Sequence, residues 1–240
     1  MPTASETTRD VSILVPTLNE ADNVEPLLQA ILQAGRAASL ALEVIVIDDG
    51  STDGTRDRVR EWEKDHPVRL LARENERGLA GAVLAGARLA VGEVVAVIDA
   101  DLSHPPEKIV ELVRPVLDAS YEMVIGSRYV PGGSTPGWPL VRRIVSRGAA
   151  ALAWPLTDVR DPLSGFFAVR RDVFLEAGKG ATGFKIGLEV LVRGGDSLRV
   201  LEVPITFRDR AYGKSKLGSR VLGVYLLQLA TLAGFVLWKR

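Results

Sequence analysis

The chain of 240 residues contains no cysteine. Disulfides, thiolate metal sites and a cysteine nucleophile are thereby excluded. Histidine occurs only as His66 and His104, too few for a multi-histidine zinc site. Net charge is absent as well, 30 Lys+Arg offsetting 30 Asp+Glu, and nucleic acid is not expected as a partner. No tandem repeat or low-complexity tract is visible. The opening Met1–Glu6 has neither a basic n-region nor an apolar h-region, so the expectation is a catalytic part on the cytoplasmic side.

What is present is an ordinary globular composition, 47% apolar and 25% charged, long enough to bury one large core or a closely fused pair. The charge is unevenly divided. Residues 1–127 hold 12 Lys+Arg against 22 Asp+Glu, and residues 128–240 hold 18 against 8. An acidic front half suits cation binding; a basic back half suits phosphates or an anionic membrane face.

Two apolar runs end on carboxylates. Glu43–Ile47 meets Asp48-Asp49-Gly50-Ser51, and Val94–Ile98 meets Asp99-Ala100-Asp101. Short β-branched runs alternating with helical patterns read as buried parallel strands, and open α/β sheets bind ligands beyond the carboxyl ends of such strands. Carboxylates gathered there repel one another unless a cation or a hydrogen-bonding ligand sits among them. An all-oxygen ligand set points to Mg²⁺ or Mn²⁺ bridging the phosphates of a nucleotide.

Strands are expected at Val11–Pro16, Glu43–Ile47, Val68–Ala72, Val94–Ile98 and Met123–Ile125. Helices between them follow Asn19, run from Thr55 to about Glu63, and cover Gly78–Val91 and Pro106–Leu117. Ser51-Thr52-Asp53 is expected to cap the second helix. This alternation implies a doubly wound sheet. A glycine-rich loop, 131–137, then precedes a helix from about Leu140 to Trp154, a strand at Gly165–Val169, a helix at Lys185–Arg193 and a strand at Leu198–Val203. Arg142 and Arg143 read equally as ligand-binding or as a helix's solvated face, Arg147 as solvated face. Glu189 reads as an exposed helix pair with Lys185. Val221–Trp238 carries no charge. As a helix it reaches about 27 Å, close to an apolar bilayer thickness of roughly 30 Å. It is read as lying on the membrane, spanning it, or packing on the domain.

Val15-Pro16-Thr17-Leu18-Asn19-Glu20, Asp48–Thr55 and Asp99–Pro105 resemble the family 2 glycosyltransferases, closest to those that act on dolichyl (polyprenyl) phosphate. The likeness continues through Gly126–Tyr129, Asp161–Phe167, Gly183–Lys185 and Gly213–Leu217, in order over residues 11 to about 217. It implies a GT-A-type, Rossmann-like, mostly parallel twisted sheet flanked by helices. Residues 1–127 would be the nucleotide-binding half and 128–217 the acceptor half, with 218–240 an apolar membrane-associated helix. Pro16, Thr17, Glu20, Asp48, Asp49, Asp99, Ala100 and Asp101 would meet the nucleotide sugar. Asp99, Asp101 and Ser103 would hold the metal. Arg128, Arg142, Ser146, Arg210 and Lys216 would gather the acceptor phosphate, with Asp101 and the first four of these in catalytic roles.

The implied reaction is inverting transfer of a sugar, mannose from GDP-mannose being the first expectation, onto dolichyl or polyprenyl phosphate at the membrane surface. A UDP-sugar donor, or a nucleotide-binding scaffold that has lost catalysis, are the competing expectations. A membrane partner subunit is compatible with either. A dinucleotide dehydrogenase fits poorly, because Pro16–Glu20 lacks the glycines that admit a pyrophosphate to the helix start.

Overall fold

A computed structural model describes residues 10–74, 78–181, 183, 185–209 and 219–239. β-branched runs form a sheet of seven strands: β1 (Val11–Thr17), β2 (Leu42–Asp48), β3 (Val68–Ala72), β4 (Val94–Val97), β5 (Met123–Ser127), β6 (Phe167–Arg170) and β7 (Val200–Pro204). Their order is β3-β2-β1-β4-β6-β5-β7. All neighbouring pairs are parallel except those of β6, which runs antiparallel to both β4 and β5. The sheet is therefore mostly parallel, with one reversed strand inside it, and β3 lies at an edge.

Alternate residues of each strand face opposite layers. Ile13, Val15, Val44 and Val46 pack with α1 (Ala21–Ala37), α2 (Thr55–Glu63) and α4 (Ile109–Leu117). Leu14, Ile45, Ile47, Val95 and Val97 pack on the other face with α3 (Leu79–Leu89), α6 (Arg171–Ala177) and α7 (Ile186–Gly194). Helix α1 presents Val24, Leu27, Leu28, Ile31 and Leu32 to the core, a stripe at helical spacing.

Several local expectations are corrected. Helix α6 was not expected; seven residues show too little periodicity to be seen. The helix begun at Leu140 ends earlier, at Ala151 (α5), and Trp154–Leu156 forms a separate 3₁₀ turn. Asp53 does not cap α2 in the expected way. Its carboxylate accepts from the Ala21 amide at 3.0 Å as well as from Thr55, so it fastens the start of α1.

The tail forms α8 (Ser219–Lys239). Tyr225 and Leu232 are buried in a small apolar cluster with Leu188 and Val192 of α7, and Gln228 is buried beside them. Among the described residues no helix is long and apolar enough to cross a membrane. The spanning reading is set aside, and one face of the tail packs on the domain.

The amino ends of the strands are closed by a buried carboxylate. Glu43, fully buried, accepts from the Ser12 hydroxyl at 2.6 Å and the Val91 amide at 2.9 Å, and Ser12 in turn accepts from the Gly92 amide at 2.9 Å. Replacing Glu43 by Leu strands these donors and is expected to cost about 2–4 kcal/mol of unfolding free energy. Urea denaturation of the variant measures this, and a cost below 1 kcal/mol would contradict the clamp.

Candidate active site

The carboxyl ends of β1, β2, β4 and β5 lie on the opposite edge. Asp99 follows β4 after the buried Ile98, with its side chain 40% exposed. Asp101 is buried, and its Oδ1 accepts from the amide and hydroxyl of Ser103 at 3.1 and 2.6 Å. Leu102, between Asp101 and Ser103 in this turn, adopts a left-handed φ of 59°, which is uncommon for a residue with a side chain. Gly165 approaches this turn closely, since a Cβ there would stand 2.9 Å from Asp99 Oδ2.

Arg128 follows β5. Its Nε and Nη2 donate to Asp161 Oδ2 and Oδ1 at 2.8 and 2.6 Å, and its amide also donates to Oδ2. Asp161 is fully buried; the amides of Arg160 and Asp161 in turn donate to the carboxylate of Glu202. Burial works against the Arg128 charge, but Asp161 outweighs it and pushes the guanidinium pKa up. Lys185, just before α7, donates to the Leu163 carbonyl at 3.0 Å and lines a small cavity with Asp99, Ser164 and Gly165. Burial lowers its pKa against the pull of Asp99. Lys185 and Glu202 were given no site role by sequence reading. The signal was a lone lysine opening an apolar helix.

The nucleotide-side residues divide into two groups. Asp48 was expected to meet the ligand, but its buried carboxylate takes bonds from Thr17, Gly50, Ser51 and Arg56. Burial would raise its pKa, yet these donors hold it below the usual carboxylate range. Asp48 therefore orders the loop, with Thr17 turned inward beside it. Ala100 also faces inward, into the core. Pro16 is half-buried at the end of β1, and Glu20 accepts from Asn23 at 2.7 Å. Asp49 is held by Arg73 at 2.7 Å and by the Gly78 amide at 3.0 Å. Ser103 is buried with its hydroxyl turned to Asp101, so it supports that carboxylate from behind.

On the acceptor side, Arg142 pairs with Asp209 and lies over Trp138 with its Cζ 3.9 Å from the ring centroid. The Ser146 hydroxyl bonds the Tyr129 hydroxyl at 2.6 Å. Arg210 and Lys216 lie outside the described residues. Glu189 is not an exposed partner of Lys185; it is buried and bonded to Arg193 and Gln228.

Among the described residues, no three or more His, Asp or Glu side chains are grouped to hold a metal alone. Two carboxylates do suit an octahedral Mg²⁺ or Mn²⁺ that takes its other ligands from a diphosphate and water. Besides the Ser103 hydroxyl, a nearby nitrogen is that of His104, whose buried Nδ1 has no hydrogen-bond partner among the described residues and stands 3.7 Å from Asp99 Oδ2. The ring is held between Phe166 and Phe207 at 5.4 and 5.0 Å. Burial pushes its pKa down to about 3, so the imidazole is neutral and packed rather than poised as a base.

Two outcomes follow from this geometry. An unfolded histidine titrates near 6.5. Between that value and 3 the unfolded chain binds a proton that the folded chain excludes, so stability falls as pH is lowered. The loss attributable to His104 is about 2 kcal/mol between pH 7 and pH 5. Melting curves of metal-free protein should show this slope, and His104→Gln should flatten it. Asp161→Asn keeps the shape but removes the charge facing Arg128, and is expected to lower turnover about tenfold or more. Unchanged turnover in that variant would remove Arg128–Asp161 from the working site.

The family model for glycosyl transferase family 2 matches residues 12–178. A dolichol-phosphate mannosyltransferase of Pyrococcus furiosus is 42% identical over 220 residues, covering 90% of this chain and 61% of that protein. The chain thus spans under two thirds of that relative's length. The Saccharomyces cerevisiae dolichol-phosphate mannosyltransferase is 37% identical, covering 94% of this chain and 88% of that protein. Among solved structures, glucosyl-3-phosphoglycerate synthase of Mycobacterium tuberculosis with Mn²⁺ and UDP is 23% identical with a TM-score of 0.68, covering 96% of this chain and 81% of that one. Mannosyl-3-phosphoglycerate synthase of Rubrobacter xylanophilus is 20% identical with a TM-score of 0.68, covering 93% and 73%. These structures share the fold, a GT-A-like α/β sheet, and the family match covers most of the chain: the protein belongs to glycosyl transferase family 2.

Proposed function

We propose that this chain transfers mannose from GDP-mannose to the phosphate of dolichyl or polyprenyl phosphate with inversion at the anomeric carbon. A phosphate oxygen of the acceptor forms the new bond to C1 while the bond from C1 to the donor diphosphate breaks, and GDP departs with that electron pair. A lipid phosphate already carries negative charge near neutral pH, so no strong base is needed. The demand is for cations that bring two anionic groups together and stabilise the departing one.

The observation that carries the reading is the meeting of Asp99 and Asp101 with Arg128 at one sheet edge, in a chain whose relatives are dolichol-phosphate mannosyltransferases. Asp99 and Asp101 would hold Mg²⁺ or Mn²⁺, which when bound offsets diphosphate charge. Asp161 keeps the Arg128 guanidinium ionised and aimed. Asp49 and Glu20 are assigned to the nucleoside end, and Arg128, Arg142, Ser146, Arg210 and Lys216 to the acceptor phosphate.

Helix α5 supports a membrane-side acceptor. Leu140, Val141, Ile144 and Val145 are 62–72% exposed along one stripe. Such a face is unusual in water and suits the interface of a bilayer. The exposed leucines of α8, among them Leu222, Leu226 and Leu227, are a second apolar surface for the same membrane.

The test is incubation of the full chain with labelled GDP-mannose, Mg²⁺ and a short-chain polyprenyl phosphate. A mannosylated lipid is expected, and Asp101→Asn should cut its rate by about 10³-fold with the fold intact. Equal use of UDP-glucose would redirect the donor assignment, and no glycolipid from any sugar nucleotide would favour a binding scaffold.

A further inference from the structure

A cavity of about 290 Å³ opens between the 133–136 loop and α5, lined by Arg128, Tyr129, Trp138, Arg143 and Arg147. Neither Asp99 nor Asp101 lines it. Arg128 is already neutralised by Asp161. Arg143 and Arg147 have no carboxylate partner among the described residues. Arg143 reaches only the Thr135 carbonyl at 3.4 Å, and Arg147 lies over the Tyr129 ring with its Cζ 5.6 Å from the centroid. Spaced four apart, they project from one side of α5. Trp138 is 6% exposed, and its Nε1 is a buried donor with no partner. Two uncompensated guanidiniums and an unused indole N–H around a cavity form a set of donors for a tetrahedral oxyanion. Sequence reading gave Arg147 to solvent and left Arg143 undecided; their shared cavity is the reason to revise that.

The exposed stripe Leu140, Val141, Ile144 and Val145 lies on the same helix. A helix that sinks such a stripe into a bilayer holds flanking arginines at headgroup depth. We propose that this cavity binds the phosphodiester headgroup of an anionic membrane phospholipid, as a docking site separate from the acceptor phosphate. This rests on the reading of the chain as an enzyme of membrane-lipid acceptors. Of the groups assigned to the acceptor, Arg142 is paired with Asp209 and Ser146 with Tyr129, and Arg128, on the cavity wall, is held by Asp161, which leaves Arg143 and Arg147 as the cations open to a second anion.

The test measures binding of the full chain to sedimented vesicles of phosphatidylcholine with or without about 30 mol % phosphatidylglycerol, the charged lipid being expected to bind tighter by about tenfold or more. R143Q/R147Q should abolish that preference, and W138F should reduce it, while binding to pure phosphatidylcholine stays within about twofold. In detergent, the KM of R143Q/R147Q for short-chain polyprenyl phosphate should also stay within about twofold. A raised KM with unchanged vesicle binding would hand the cavity to the acceptor and overturn the proposal. Equal affinity of the wild type for both vesicles would overturn it as well. So would calorimetric binding of inorganic phosphate lost in R143Q/R147Q with no vesicle preference, which would make the cavity a free-phosphate site. Vesicle binding requires no turnover, so absent glycolipid synthesis would sink the enzyme reading on its own.

Discussion

Arg128 and Asp161 set the electrostatics of the upper sheet edge. Both side chains are removed from water, Arg128 to 11% exposure and Asp161 completely. Burial alone would oppose both charges, so each is tolerable only because the other is there. The bidentate geometry also fixes orientation: Arg128 cannot turn away without leaving a carboxylate unsatisfied inside the protein. Glu202 extends the arrangement by accepting from the two amides that carry Asp161 into place. Thus a cation stands at the end of β5, across from the carboxylates that follow β4, before any ligand arrives. Preorganised charge of this kind is effective because nothing must rearrange when an anionic group enters.

The two edges of the sheet handle buried carboxylates differently. At the amino edge Glu43 is consumed by Ser12 and Val91 and closes the fold. At the carboxyl edge Asp48 is consumed in the same way and shapes a loop, while Asp99 stays 40% exposed. Adjacent residues in one motif therefore serve different ends. Asp48 points into the loop that Asn19 and Ser51 also tie together, and Asp49 points out toward Arg73. Side-chain alternation along a strand accounts for this division.

That alternation also explains what could be read from sequence. Runs such as Val44–Ile47 and Val94–Val97 are buried on both faces, so their composition alone marks them as inner strands, and the aspartates mark where they end. Helix α1 was visible in its stripe. The reversed direction of β6 was not, because orientation depends on pairing with Val94–Val97 some 70 residues away, and nothing local to Phe167–Arg170 encodes it. The site followed the same rule. Asp99, Asp101 and Arg128 sit at strand ends and were legible, whereas Lys185 and Glu202 act through partners distant in the chain. The bond between Asp48 and Arg56 is closer in sequence, yet it depended on a left-handed turn at Gly54 that brings α2 back over the strand end.

The tail illustrates how packing overrides composition. Eighteen uncharged residues admit three environments, and hydropathy alone does not choose among them. Gln228 decides for a docked helix. Its amide donates to the Lys185 carbonyl at 3.2 Å and to Glu189 at 3.0 Å, both inside the protein. Gly183 admits it, since a Cβ there would overlap the Gln228 amide. Arg193, bonded to Glu189, covers the far end of the helix by lying over Phe235 at 5.0 Å. Lifting α8 into a bilayer would leave Glu189 short of a donor and move a bare amide into hydrocarbon, each a cost of several kcal/mol. Spanning and docking are therefore mutually exclusive for this helix. The docked state has a further consequence: the segment that α8 holds through Gln228 is the one that carries Lys185 to the cavity beside Asp99, so the helix braces one wall of that cavity without lining it.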